Sequence, residues 1–295
     1  MITMNKLQGV PPFSKLVKNP YEPDKYKSVR PDYSDIGFII FKNLKNLKEN
    51  NSGIIVRQYI IMPDHLHFIL EITKELDTEV GNYLAIFKRN IFKEAIELKL
   101  MPSSLGTVFE KGFNDQYLRF DRSLDGFYQY IKKNPYNLWI RLQNPDFFRR
   151  KYGHKLFGVE CDLYGNIQFL ENPFIESVIV HRSDSAQIRK QKLELWRYTY
   201  QNGGILIGAF ISPHEREIFK EALSFGGKII RISNRGFAKR EKPSEGLLSY
   251  CEKGQLLIIS PRIDFIPYPE RRPVRREECL FMNNLALRIA AQGGN

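Results

Sequence analysis

Beyond about Lys155, short runs of apolar and β-branched residues alternate with stretches of helical periodicity. They read SVIVHR (177–182), a helix from Ser185 to Tyr200, GILIGAF (204–210), a helix from Pro213 to Ser224, KIIRIS (228–233) and LLIIS (256–260). Strand and helix in regular turn leave a chain few options, because each helix carries it back to start the next strand in the same direction. The pattern predicts βαβ units on a parallel sheet. The first half is built differently. GFIIFKNLKNLKE (37–49) has helical spacing, and residues 53–72 read as two strands broken at Met62-Pro63-Asp64. Residues 79–99 form an amphipathic helix with Lys88, Arg89 and Lys93 on a basic side. A further helix runs from Leu124 to about Lys133 and is stopped by Pro135. Residues 1–36, rich in Pro, Tyr and Lys, show little periodicity and read as an irregular arm, in which a first strand is either divergent or missing. The 295 residues suffice for two cores. The expected domains are 1–150 and 151–295, an α+β unit followed by an α/β unit, divided at the basic stretch Phe147-Phe148-Arg149-Arg150-Lys151.

Charge narrows the class of partner. Against 33 acidic residues stand 45 Lys and Arg, a net charge of +12. Such a surface suits a polyanion, and nucleic acid fits best because basic groups on phosphates release condensed counterions; a merely solvated basic surface is the plainer reading. With 42% hydrophobic and 26% charged residues the chain is not disordered as a whole. Three cysteines, Cys161, Cys251 and Cys279, form no CxxC pair, which fits reduced thiols and disfavours a disulfide framework or cysteine-rich zinc site. No apolar window is long enough to span a bilayer and MITMNKLQGVPPF lacks a signal-peptide layout, so a cytoplasmic location is expected.

His65 and His67 bracket Leu66 in PDHLHFIL. Residues two apart on a strand face one side, so both imidazoles project together while Leu66 and Phe68 point to the opposite layer. That suits two ligands of one divalent metal, and equally two half-exposed polar residues. Asp64 faces away from the pair on a strand, which gives it a turn role rather than ligation. Further on, Tyr130 and Asn134 stand one helical turn apart on one face. A tyrosine hydroxyl can act as a covalent nucleophile when a nearby cation eases its ionisation, and an amide oxygen is an acceptable hard ligand. With Tyr128 and Tyr136 adjacent, the helix alone does not choose among the three.

The two segments YIIMPDHLHFIL and YIKKNPYNLW, in that order and separated by about 60 residues, resemble the single-tyrosine HUH transposases, above all the REP-associated tyrosine transposases. The stretch VFEKGFNDQYLRFDRSLDGFYQYIKKNP is similar to the family's aromatic-rich approach to its catalytic helix, and the resemblance covers residues 38–140. It implies a ferredoxin/RRM-like antiparallel sheet with helices. His65 and His67 would be the metal pair, Asn134 the third ligand and Tyr130 the nucleophile. Mg²⁺ or Mn²⁺ would be the cofactor. Lys88 falls where the family carries a basic residue, and with Arg89, Lys132, Lys133, Arg271 and Arg272 makes up the expected DNA contacts. The implied activity is endonucleolytic strand transfer on single-stranded DNA bearing hairpins, the repetitive palindromic elements, through a 5′-phosphotyrosine. Related transposases complete the site with a partner's tyrosine helix, so a homodimer is one implied partner. The rival is a transposase-derived protein that binds hairpins and has lost cleavage.

In the second half Gly203 and Gly204 precede a strand, Gly208 ends it, and Ser212, Pro213 and Glu215 specify the next helix start. Residues 202–260 loosely resemble the Rossmann-type domain of the DNA-processing protein A family. Helix starts at strand ends favour phosphate, which admits a nucleotide there; glycines serving tight turns explain the same residues without one. His214, Glu215 and Glu217 are accounted for by the helix dipole alone. The tail PERRPVRREE (269–278), with Arg271, Arg272, Arg275 and Arg276, either tracks a DNA backbone or is a solvated turn.

Overall fold

The structure, a computed structural model, describes residues 1–49, 53–117, 124–237, 245–263 and 273–292. Its contacts divide the chain into two units, 1–140 and 141–295.

In the first unit the chain forms β1 (Ile2–Asn5), β2 (Ser14–Lys18), β3 (Val29–Tyr33), α1 (Asp35–Glu49), β4 (Ile54–Ile61), β5 (His65–Ile72), α2 (Val80–Glu97), β6 (Asn114–Asp115) and α3 (Leu124–Gln143). Setting β2 and β3 aside, this is a β-α-β-β-α-β order, and its four strands lie as β4-β5-β1-β6, each antiparallel to its neighbour. Alternation decides the faces. Ile2, Met4, Leu66 and Phe68 are buried with Ile36, Ile40 and Leu44 of α1 and Leu84, Phe87 and Ile91 of α2. Each such side chain removed from water contributes about 1.5–3 kcal/mol, so the core fixes which parity of β1 and β5 turns inward. The intervening residues Thr3, Asn5, His65 and His67 are thereby turned to the other face.

The expected irregular arm is a correction. It holds β1, an inner strand of the sheet, and the two-stranded hairpin β2–β3, with Ser14 opposite Tyr33 and Lys18 opposite Val29. Prolines hid the hairpin: Pro31 lies within β3, a place proline tolerates in a two-stranded ribbon whose outer N–H groups need no partner. A second correction concerns α3, which continues through Pro135 to Gln143. A proline at that position removes only one helical hydrogen bond, and burial of Ile131, Asn134 and Pro135 offsets the loss.

The second unit contains β7 (Arg149–Leu156), β8 (Val159–Gly165), β9 (Ile175–Ser177), α4 (Ala186–Gln201), β10 (Ile205–Gly208), α5 (Pro213–Phe225), β11 (Lys228–Ile232), α6 (Glu245–Glu252), β12 (Leu256–Pro261) and α7 (Arg276–Gln292). Strands β9 to β12 are parallel neighbours in chain order, and the hairpin β7–β8 extends the sheet antiparallel beside β12. The basic stretch 147–151 runs into β7, and the division between the units falls earlier, after Ile140. One parity of the sheet, with Ile205, Ile207, Ile230 and Leu257, packs on Met282, Leu285 and Ile289 of α7. The other parity, Leu206, Ile229 and Ile258, is buried too, and α4, α5 and α6 lie against β10, β11 and β12. A sheet covered on both faces explains why its strands read as unbroken apolar runs.

Several elements differ from expectation. Strand β9 ends at Ser177, because beyond Val178 the N–H groups leave the ladder: Val180 donates to Glu215 and His181 to Asp184. The hairpin β7–β8 and the helix α7 fall where no element was read. Residues 276–278 open α7 rather than forming a solvated turn, and Glu278 is fully buried, accepting from the Arg275 N–H at 3.0 Å and the Asn234 amide at 3.2 Å. Among the described residues no helix is long and apolar enough to cross a membrane.

Candidate active site

The register of β1 against β5 puts Thr3 opposite His67 and Asn5 opposite His65. Directly opposed residues share a face, so the two histidines and their β1 partners form one polar patch. The imidazole centroids are 4.5 Å apart. Each ring is held at Nδ1, His67 by the Thr3 hydroxyl at 2.7 Å and His65 by the Asp64 carboxylate at 2.7 Å. Here the orientation expected for Asp64 is corrected, while its turn role stands. Asp64 lies in the bend before β5, where strand alternation does not apply, and its carboxylate turns toward His65. Lys6 N–H donates to the Asp64 carbonyl at 2.9 Å and Met62 N–H to the His65 carbonyl at 2.8 Å, which fixes that bend.

Helix α3 brings Tyr130 to the same place, and Asn134 follows one turn later on the same helix. The Tyr130 ring lies edge-on to His67 with centroids 5.3 Å apart, and Tyr130 remains 43% exposed. One turn later Asn134 is 2% exposed, and its amide nitrogen has no hydrogen-bond partner among the described residues. A buried amide left in this way costs about 1–3 kcal/mol. Tyr130 and His67 are thus neighbours within one chain. Tyr128 and Tyr136 flank the helix, and Tyr136 packs on Tyr26 at 5.5 Å.

The remaining expected contacts are dispersed. Lys132 is ion-paired with Asp24 at 3.0 Å, which holds the Asp24 carboxyl below its usual range, and the Lys133 ammonium lies 5.0 Å over the Tyr26 ring. Helix α2 packs on the apolar face, opposite the histidines. Lys88 there donates to the carbonyls of Glu110 and Gly112, and its burial lowers the ammonium pKa; Arg89 is exposed. Arg271 and Arg272 lie outside the described residues. Among the described residues no three His, Cys, Asp or Glu side chains group to hold a metal. His65 and His67 lie together on β5, and Asn134 is buried on α3. Sequence reasoning missed Thr3 altogether, since the alternation in Ile2-Thr3-Met4-Asn5 spans only four residues.

In the second unit the start of α5 is answered from within. The Glu215 carboxylate accepts from the N–H groups of Val180 at 3.0 Å, Ile211 at 2.9 Å and Ser212 at 3.0 Å, and the Ser212 hydroxyl accepts from Glu215 N–H at 3.3 Å. A Cβ on Gly208 would lie 2.9 Å from the Val178 carbonyl oxygen, and one on Gly204 2.6 Å from the Thr199 methyl, so close packing accounts for both glycines. His214 and Glu217 are a surface pair at 3.7 Å. Replacing Glu215 by Ala strands three donors, two of them where α5 begins. Glu215→Ala is expected to lower the unfolding free energy by about 3 kcal/mol in urea denaturation; a loss below about 1 kcal/mol would show that water replaces the carboxylate.

No protein-family model matches the sequence, and no curated protein is similar to it. A solved structure of DNA processing protein A from Helicobacter pylori, described for its single-stranded DNA binding mode, is similar over 49% of this chain and 67% of that one, at 15% identity and a TM-score of 0.34. That score is too low to carry an inference.

Proposed function

We propose that the first unit is an HUH single-tyrosine DNA nuclease and strand transferase acting on hairpin-bearing single-stranded DNA. The reading rests on one observation above the others: Tyr130 stands beside His67, with Asn134 buried one turn on, over the polar face of a sheet in ferredoxin-like strand order. The second unit, with its parallel strands clad by helices, is read as Rossmann-like. The net charge of +12 fits a polyanionic substrate.

His65, His67 and Asn134 suit a hard divalent cation, Mg²⁺ or Mn²⁺. With Nδ1–H donated to the Thr3 hydroxyl and to the Asp64 carboxylate, each imidazole would offer Nε2, as metal-bound histidines usually do, and the Asn134 side-chain oxygen would be the third donor. Such an ion, when bound, polarises a phosphate and stabilises charge on its oxygens. The chain's own part is nucleophilic. The Tyr130 oxygen attacks phosphorus, a P–O bond to Tyr130 forms, and the bond to the 3′ oxygen breaks. The 5′ side stays on the enzyme as phosphotyrosine, and the released 3′ oxygen ends as a hydroxyl carrying the proton that the phenol gave up. The reverse attack by a 3′-hydroxyl reseals the strand without a nucleotide, because the ester is conserved.

The test is incubation with labelled hairpin oligonucleotides in Mn²⁺ or chelator, resolved on a denaturing gel. Cleavage with a protein-linked product only in metal supports the reading; tight hairpin binding without cleavage in any metal favours a binder that has lost the reaction. A smaller effect tests the site's frame. Thr3→Val removes the hydroxyl at His67 Nδ1 and is expected to weaken Mn²⁺ binding about 10- to 100-fold by calorimetry, with Thr3→Ser restoring it. Unchanged affinity in Thr3→Val would mean that the hydroxyl does not orient the ring.

A further inference from the structure

The β2–β3 hairpin and the second half of α3 share a feature that the cleavage site leaves unused. The Lys18 ammonium lies 4.4 Å over the Trp139 ring. Lys25 lies 4.9 Å from Tyr26 and 5.3 Å from Tyr136, and Lys133 lies 5.0 Å from Tyr26. Tyr26 and Tyr136 meet edge to face at 5.5 Å, so the hairpin loop is pinned to the helix. Residues 14–33 carry five basic and three acidic side chains. Asp24 pairs with Lys132 at 3.0 Å and Asp32 with Lys15 at 3.3 Å. Lys18, Lys25, Lys27 and Arg30 are exposed, and Tyr21, between the two strands, is 91% exposed.

From Tyr130 the row winds away round the helix. At 100° per residue Lys133 lies about 60° round the helix from Tyr130, Tyr136 about 120° and Trp139 about 180°, over a rise of about 13 Å. A strand that leaves the tyrosine and follows the helix half a turn round its axis would meet these lysines in succession. A lysine held over an aromatic face has already lost part of its rotamer freedom, so less remains to be lost when it meets a phosphate. An exposed tyrosine such as Tyr21 offers a face on which an unpaired base can stack, worth about 1–3 kcal/mol.

We infer that the β2–β3 hairpin and α3 form a binding platform for single-stranded DNA flanking the cleavage point, with Lys18, Lys25 and Lys133 on its phosphates. The inference rests on reading Tyr130 as a nucleophile toward single-stranded DNA, and the experiment separates the two. Binding of a fluorescein-labelled oligothymidylate of about 16 nucleotides is followed by anisotropy in chelator, with full-length protein, across a salt series. The triple variant Lys18→Gln, Lys25→Gln, Lys133→Gln is expected to bind roughly 10- to 100-fold more weakly near 0.1 M salt, with the log–log salt slope reduced by about 2. The three Lys→Arg replacements, which keep the charge, are expected to bind within about threefold of the parent, and loss in both sets alike would overturn the platform. A control triple of exposed lysines in the second unit, Lys190→Gln, Lys220→Gln and Lys253→Gln, changes net charge equally and is expected to leave binding intact. Parent-like affinity in the platform triple, or equal loss in the control triple, also overturns it. If the platform triple alone loses affinity while no metal-dependent adduct forms at Tyr130, the platform stands and the nuclease reading falls. An adduct with parent-like affinity of the platform triple gives the reverse.

Discussion

Tyr130→Phe is expected to abolish the covalent protein–DNA product and to reduce strand cleavage by at least about 10⁴-fold, while hairpin binding in chelator stays within about twofold of the parent. The ring is kept and only the oxygen is lost, so the edge-on contact with His67 at 5.3 Å persists and the fold has no cause to change. The neighbouring phenols do not replace it. Tyr136 is packed against Tyr26 and approached by Lys25, and Tyr128, two residues before Tyr130, lies about 160° away round the helix. Residual adduct in Tyr130→Phe would show that another residue attacks.

The second large effect concerns the histidines. His65→Ala and His67→Ala each remove a nitrogen from a set of two imidazoles and one amide, and each is expected to weaken Mn²⁺ binding by more than the about 100-fold upper range set for Thr3→Val. Metal-dependent cleavage is expected to vanish with it. The apolar face of the sheet, where Leu66 and Phe68 meet α1 and α2, does not involve these rings, so the far-ultraviolet circular dichroism of both variants should match the parent. Calorimetry on the uncleaving Tyr130→Phe background separates loss of metal from loss of chemistry. Mn²⁺ affinity unchanged in both histidine variants would place the metal elsewhere and remove the basis for the proposed ligand set.

Much of the candidate site was legible because two strict periods carry it. Side chains two apart on β5 face together, and side chains four apart on α3 face together, so His65 with His67 and Tyr130 with Asn134 could be paired without coordinates. What joined the pairs was not legible. Thr3 reaches His67 through the pairing of β1 with β5, a contact between residues 64 apart in sequence, and β1 is too short to announce itself. The turn role of Asp64 is legible in the sequence, but its orientation is not, because strand alternation does not hold in a bend. Pro135 was read as a stop, whereas burial around it overrides the local preference. In the second unit the parallel strands were plain, since burial on both faces leaves only apolar residues. By contrast Glu215 and Glu278 are charged residues with buried structural tasks, and composition assigns such residues to the surface.

The central claim is that Tyr130, and no other residue, becomes joined to DNA at the site of His65, His67 and Asn134. It is met most directly by forming the adduct in Mn²⁺ on a hairpin oligonucleotide, digesting the protein and the DNA, and locating the nucleotide-bearing residue by mass spectrometry. The account predicts a 5′-phosphodiester remnant on Tyr130 alone, absent in chelator. A remnant on Tyr128, Tyr136 or any other residue, or an adduct that forms equally well in chelator, would contradict it.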